Sequence, residues 1–271
     1  MVVAAAIPPA IRQASCYCSR EEKTRTRAAA AVNGGRDTMT TSSRHQKYLT
    51  DRQFDDYRED GFLTLKGMCS LKEIRSWQGE CRRLWESVEI SDDNPRLRWG
   101  ERVDGTRVAD RIHPVLDISP LFERLAHDDR FVRAAADVMD GEPQVLTASL
   151  ESKWPGTRGQ RLHQDYTQWT FDRELPYDDF VKVLIPIAPL DGASGAVEVF
   201  AGYHHRVLSG PAGAPVDESA VAANRRVVLS LDPGDVGLIH GLTPHRGGPN
   251  RTATQRELLL VTYIGAGYDH R

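Results

Sequence analysis

The pattern of apolar and polar positions changes character once along the chain. Up to about residue 141 the apolar residues recur at helical spacing. Leu71, Ile74, Trp77, Cys81 and Leu84 form the clearest run, and the spacing predicts a helix from Ser70 through about Glu86. Thr50 with Gln53, and Ser70 with Glu73, stand three residues apart as in capping boxes, and Leu49 with Phe54 occupy hydrophobic-staple positions. The first helix should stop at Gly61, a C-terminal signal, and a short strand over 62–66 should follow. A polar, charged loop is expected over 91–111. Ser119-Pro120 then opens a helical stretch ending at Gly141.

From residue 144 the texture becomes β. Short apolar runs at 144–151, 180–187, 196–200, 226–231, 236–240 and 257–264 are separated by Gly, Pro, Asp and Asn. Helices first and many short strands afterwards predict a mostly β fold, a double-stranded β-helix (jelly roll, cupin-like) with helices flanking one face.

Charge divides the chain in two. Residues 1–45 hold seven Arg/Lys against three Asp/Glu, and the remainder carries a net charge of −7. The first segment lacks hydrophobic periodicity, so a disordered basic tail is expected over 1–45 and one folded domain over 46–271. Met39 is a candidate native start. The balanced charge does not mark a nucleic-acid binder, and no apolar run reaches the roughly 20 residues of a membrane span. Cys16, Cys18, Cys69 and Cys81 make a poor disulfide framework, which suggests reduced thiols and a cytoplasmic protein. Oligomeric state is not legible.

The candidate chemistry lies in the β half. In RLHQDYTQW, His163 and Asp165 are two residues apart, so on an extended chain both project to one side. One imidazole and one carboxylate make two thirds of a facial triad, which needs a second imidazole from elsewhere and leaves iron three open positions. Alone, such a tripeptide is weak, since most sit on surfaces. The stretch HGLTPHRGGPNRTATQREL adds His245 and, eleven residues later, Arg256 at the start of an apolar strand. A histidine ending one strand and an arginine in the next can face the same cavity. The arginine would grip the far carboxylate of a keto diacid through a bidentate pair. His240 competes with His245 for the metal, but only His245 has this spacing to Arg256.

Four stretches carry a resemblance: LTDRQFDDYREDGFLTLKGMCSLKEI, the HQD of residues 163–165, LDGASGAVEVFAGYHHR and HRGGPNRTATQR. Together they resemble the phytanoyl-CoA dioxygenase family of iron(II)/2-oxoglutarate oxygenases over about residues 46–265. The resemblance implies His163, Asp165 and His245 as iron(II) ligands and Arg256 as the 2-oxoglutarate anchor. It also implies Arg111 as a second basic residue near that co-substrate. Dioxygen would be consumed, a C–H bond of a small metabolite hydroxylated, and succinate and carbon dioxide released. Related halogenases have Ala or Gly where Asp165 stands, so the carboxylate argues for hydroxylation, with desaturation, ring closure and epimerisation open. Two positions depart from the family pattern. The Pro-Gly-Ser-His passage reads Ala201-Gly202-Tyr203-His204, and Gly247 replaces a small hydroxyl residue.

Tyr166, Gln168 and Trp169 follow the proximal motif and are candidates for the substrate pocket or for loop packing. His113, His204, His205 and His270 are expected to be surface or structural. Lys153, Arg161 and Arg251 are expected to be solvated. Segments 91–111 and 208–224 are candidate lids. The short, Ala- and Arg-rich chain suits a tailoring enzyme of secondary metabolism. The competing class is a cupin-type isomerase or a small-molecule binding protein.

Overall fold

The computed structural model describes residues 47–210 and 213–270. The basic segment, Cys16, Cys18 and Met39 lie outside the described residues. Helix α1 (Asp51–Asp60) starts on the Thr50/Gln53 capping box and ends at Gly61, whose φ is +79°. A Cβ at Gly61 would also lie 2.5 Å from the ring of His204, so two independent constraints require glycine there. Strand β1 (Phe62–Leu65) follows, then α2 (Leu71–Ser87) on the Ser70/Glu73 box. Ile74, Trp77, Cys81 and Leu84 are its buried stripe, while Leu71 is exposed. Each large apolar side chain buried this way contributes about 1.5–3 kcal/mol.

Two expectations are corrected. The stretch after Ser119 is two helices, α3 (Pro120–Ala126) and α4 (Asp129–Val138). Asp128 interrupts it, its carboxylate accepting from the Arg130 backbone N–H at 2.9 Å and so offering the chain a new start. Residues 91–111 are not simply a loop either. Strands β2 (Leu97–Glu101) and β3 (Arg107–Ile112) form a hairpin that turns at Gly105, φ +86°.

The remaining strands are β4 (Pro143–Lys153), β5 (Phe180–Pro186), β6 (Val197–Phe200), β7 (Arg226–Val228), β8 (Val236–His240), β9 (His245–Gly247) and β10 (Arg256–Gly265). They form an antiparallel seven-stranded sheet, β1-β8-β5-β10-β4-β3-β2, and a three-stranded sheet, β7-β6-β9. Strand alternation then decides what each face of the large sheet meets. Val181, Val183 and Ile185 of β5, with Leu259, Val261 and Tyr263 of β10, pack against α2, α3 and α4 in the main core. Leu184, Leu258 and Leu260, on the other face, pack with Val197 and Val199 of the small sheet. The two sheets with helices over one face make the expected jelly roll, and a cavity opens between the sheets.

Candidate metal centre and its cavity

Residues 82 positions apart in sequence become direct neighbours here. His163 N donates to His245 O at 3.0 Å, and His245 N donates back to His163 O at 2.9 Å. This bridge sets the two rings 4.4 Å apart, and Asp165, two residues on, turns to the same side. The three residues offer ligand atoms within 4.8 Å of one another.

The hydrogen bonds behind the rings choose their tautomers. His163 Nδ1 lies 2.8 Å from Arg161 O and His245 Nδ1 lies 2.8 Å from Thr243 O, so each Nδ1 carries the proton and donates. Each Nε2 then points to Asp165. His245 Nε2 is 3.2 Å from Asp165 Oδ2 and His163 Nε2 is 3.7 Å from Oδ1. Asp165 Oδ2 is also buried without a well-aligned hydrogen bond, although Lys182 Nζ approaches to 2.5 Å. Two imidazole nitrogens and an ionised carboxylate with an unsatisfied oxygen fit a divalent transition metal.

The electrostatics keep the donors ready. Burial above all pushes His163 down to about 4, so it is neutral at ordinary pH. Burial works to raise the Asp165 carboxyl, but the Lys182 ammonium above all outweighs it and holds it well below the usual carboxylate range.

The centre lies on the wall of a cavity of about 330 Å³. Its floor is the inner face of the large sheet, and the register gives it an order. Lys182, Thr262 and Thr147 form one cross-strand row, and Leu184, Leu260 and Ser149 the next. Leu258, Glu151, Arg111 and Arg98 form a third, and Arg256 pairs with Lys153 beyond it. Glu151 is the hub of the inner end. Arg111 Nη2 binds one of its oxygens at 2.9 Å and Arg256 Nη1 the other at 3.2 Å. Burial opposes its ionisation, yet Arg111, Arg256 and Lys153 hold it well below the usual carboxylate range.

The candidate residues are therefore placed as follows. His163, Asp165, His245, Arg111, Gln168 and Trp169 all line the cavity. Arg256 is buried behind Glu151, its Nη2 donating to Gly195 O at 2.7 Å, and it is not on the cavity wall. Arg111 Nε and Arg256 Nε are each buried without an acceptor. Tyr166 faces away, its hydroxyl donating to Leu175 O at 2.6 Å and its ring packed on Tyr177 and Phe180. His240 is turned from the triad because Ile239, one residue before it on β8, takes the cavity side. Its Nε2 meets Asp178 at 3.0 Å instead. His204 is buried beside it, and His205 and His270 are exposed.

Four residues were missed or misjudged from sequence. Lys182, a polar position inside the apolar run FVKVLIP, projects into the cavity, as do His113 and Arg98. Lys153 is buried rather than solvated, donating to Gly248 O at 2.5 Å. Its ammonium also explains Gly247, since a Cβ there would come within 2.5 Å of Lys153 Nζ. Segment 208–224, as far as it is described, docks on the cavity's edge. Gly213 lies against Gln168, and Val216 N donates to Leu162 O at 2.8 Å.

Comparison with known proteins agrees with this geometry. The family model described as phytanoyl-CoA dioxygenase matches residues 57–258. Ectoine dioxygenase of Bordetella parapertussis is 24% identical over 195 residues, which is 70% of this chain and 61% of the relative. The chain thus spans less than two thirds of that relative's length. The crystal structure of EctD from S. alaskensis with 2-oxoglutarate and 5-hydroxyectoine superposes with a TM-score of 0.71 at 21% identity, covering 83% of this chain and 79% of that one. The epimerase SnoN, in complex with Fe3+, alpha ketoglutarate and nogalamycin RO, gives 0.69 at 20% identity, covering 82% and 85%. Both share the fold. With the family model running from the first helix to the last strand, across both halves of the His-Asp-His cluster, the chain belongs to the phytanoyl-CoA dioxygenase family.

Proposed function

We propose that the chain is an iron(II)/2-oxoglutarate-dependent dioxygenase that hydroxylates a C–H bond of a small metabolite. The observation that carries this is the triad itself, two imidazoles locked as Nδ1–H tautomers around an ionised, under-satisfied carboxylate on a cavity wall. Family membership and the iron and keto acid named with SnoN support the choice of metal and co-substrate.

His163 Nε2, His245 Nε2 and Asp165 would hold the iron. Arg111, on the cavity wall with an Nε–H lacking an acceptor, would hold the far carboxylate of 2-oxoglutarate, and Arg256, buried behind Glu151, would reach it only once Glu151 yields. Iron, keto acid and dioxygen together supply an oxidant that replaces C–H by C–OH and releases succinate and carbon dioxide. The chain's own part is to bind, orient and exclude water. Backbone carbonyls of Arg161 and Thr243 fix the imidazole planes. Gln168 and Trp169, backed by segment 213–216, cover one side of the cavity.

We read residues 46–271 as one catalytic domain after a basic tail, since residues 45–271 form a single compact unit. We also place the protein in the cytoplasm, without nucleic-acid or membrane partners. Cys69 and Cys81 are free, buried thiols, and no helix among the described residues is long and apolar enough to cross a membrane.

The test is spectroscopic. Iron(II) and then 2-oxoglutarate are added to metal-free protein under nitrogen, with Asp165→Ala, His245→Ala and Arg256→Ala in parallel. A weak visible metal-to-keto-acid band is expected in the wild type, absent from the first two variants and needing far more keto acid in the third. Folded protein that binds metal tightly but never shows the band would overturn the assignment in favour of a cupin-type protein.

A further inference from the structure

The cavity carries more positive charge than metal and co-substrate binding use. Arg98, Arg111 and Lys182 line it, and Arg256 and Lys153 back its inner end. Against these five cations stand Asp165, Glu151 and Asp110. Asp110 is pushed up to about 6, by burial first and by Glu151 second, so its charge is easily lost. An iron dication and a dianionic keto acid cancel each other. A loaded centre therefore keeps an excess of about two positive charges, and that field favours an anion at the cavity's edge, where Arg98 is exposed.

Arg98 is the cation with an open hand. It faces Arg111 directly across the β2–β3 hairpin, and Arg111 faces Glu151, so the three share the inner face of the sheet. Glu151 is already divided between Arg111 and Arg256. No carboxylate lies within ion-pair distance of Arg98 among the described residues. Its Nη1 donates to Pro95 O at 2.7 Å and Leu97 O at 3.0 Å, which pins the guanidinium. Those bonds leave the Nε–H and Nη2–H edge without a protein acceptor. Two parallel N–H groups on one edge match the two oxygens of an oxyanion. His113 lies nearby and is held neutral at about 4, by burial and then by Arg98, Arg111 and Lys182, so it adds no competing charge.

Volume limits the rest of the ligand. About 330 Å³ is near the lower end of the ~300–1,000 Å³ range for ligand sites, and 2-oxoglutarate must share it. Leu184, Leu258, Leu260 and Ile239 supply an apolar wall, but a long acyl chain has no room.

Resting on the dioxygenase reading, we propose that the primary substrate is a small organic oxyanion, held by the free Nε/Nη2 edge of Arg98 while its apolar part lies on the leucine wall. Carboxylates and phosphate monoesters share this chemistry, and the experiment separates them. Iron(II)- and 2-oxoglutarate-loaded protein under nitrogen is titrated calorimetrically with a panel of small amino and hydroxy acids, their primary amides and their phosphate esters. Wild type and Arg98→Gln are compared. At least one acid or phosphate ester is expected to bind, its neutral counterpart to bind far less, and Arg98→Gln to weaken the anion about tenfold to a hundredfold. Whichever anion wins identifies the headgroup.

A panel in which no anion binds better than its neutral partner overturns the inference, as does an acid–amide preference that survives Arg98→Gln. So does a variant that loses affinity for 2-oxoglutarate instead, because Arg98 would then belong to the co-substrate. Failure of the dioxygenase reading shows separately, as loss of the visible band before any panel compound is added.

Discussion

Lys182 is where the metal centre can be tested without knowing a substrate. It sits on the cavity face of β5 with Nζ 2.5 Å from Asp165 Oδ2, and the two side chains are 17% and 5% exposed. Lys182→Met keeps most of the length and removes the charge, so a buried carboxylate loses its ammonium partner. Breaking a buried pair from one side costs about 3–5 kcal/mol. At roughly 2–4 °C per kcal/mol for a domain of this size, the melting temperature of metal-free protein should fall by about 6–20 °C. The ammonium also competes with a metal for the same oxygen. A dication should therefore rescue the variant, and metal should stabilise Lys182→Met more than it stabilises wild type. Thermal unfolding in chelator and in saturating manganese(II) measures both arms. Equal losses with and without metal would mean that Lys182 only packs the cavity. A metal-free melting temperature within about 2 °C of wild type would refute the buried-pair argument itself.

Two further outcomes follow from the same surroundings. Gln164, fully buried between the two proximal ligands, donates through Nε2 to Arg206 O and Leu242 O and accepts at Oε1 from Leu208 N and Ser209 N. Gln164→Ala leaves four backbone groups unpaired, so urea unfolding should show a loss of about 3 kcal/mol and metal titration a fall in affinity of at least ~10-fold; unchanged affinity would remove its role in positioning the ligands. His113 and His204 are both lowered to about 4, burial being the main cause, whereas the unfolded chain protonates near ~6.5. Protons bind the unfolded state first, so this stability is complete above about pH 6.5 and is lost as pH falls towards 4. Urea midpoints should drop across that window, less steeply in His113→Gln, and a flat profile would contradict the assignment.

Local chemistry was legible in the sequence and long-range placement was not. Both capping boxes and the Gly61 stop depend on residues within four positions of each other, and the structure shows them in place. Runs such as β5, β8 and β10 were visible because those strands are buried on both faces and mostly apolar. The β2–β3 hairpin was hidden for the opposite reason, since an edge hairpin with Arg98, Glu101 and Arg107 pointing outward or into a polar cavity reads as a charged loop. The proximal and distal histidines were visible through their motifs. Arg98 and Lys182 were not, because nothing local says which face of a strand a lone cation will take.

Register supplies that missing information. On β4 the residues turned to the helices, Ala148 and Leu150, are apolar, while Thr147, Ser149, Glu151 and Lys153 on the cavity side are all polar. A fold seeking stability alone would not bury that row, because each ionised group must find a partner or forfeit several kcal/mol. Glu151 pairs with Arg111 and Arg256, Gly248 O takes the Lys153 ammonium, and Asp165 pairs with Lys182. Internal partners are thus assigned one by one until Arg98 is reached, at the end of the Glu151 row, where two backbone carbonyls but no carboxylate among the described residues meet the guanidinium. The unbalanced position falls on the edge strand of the large sheet, where Arg98 is exposed, and it is there that specificity should change most readily by substitution.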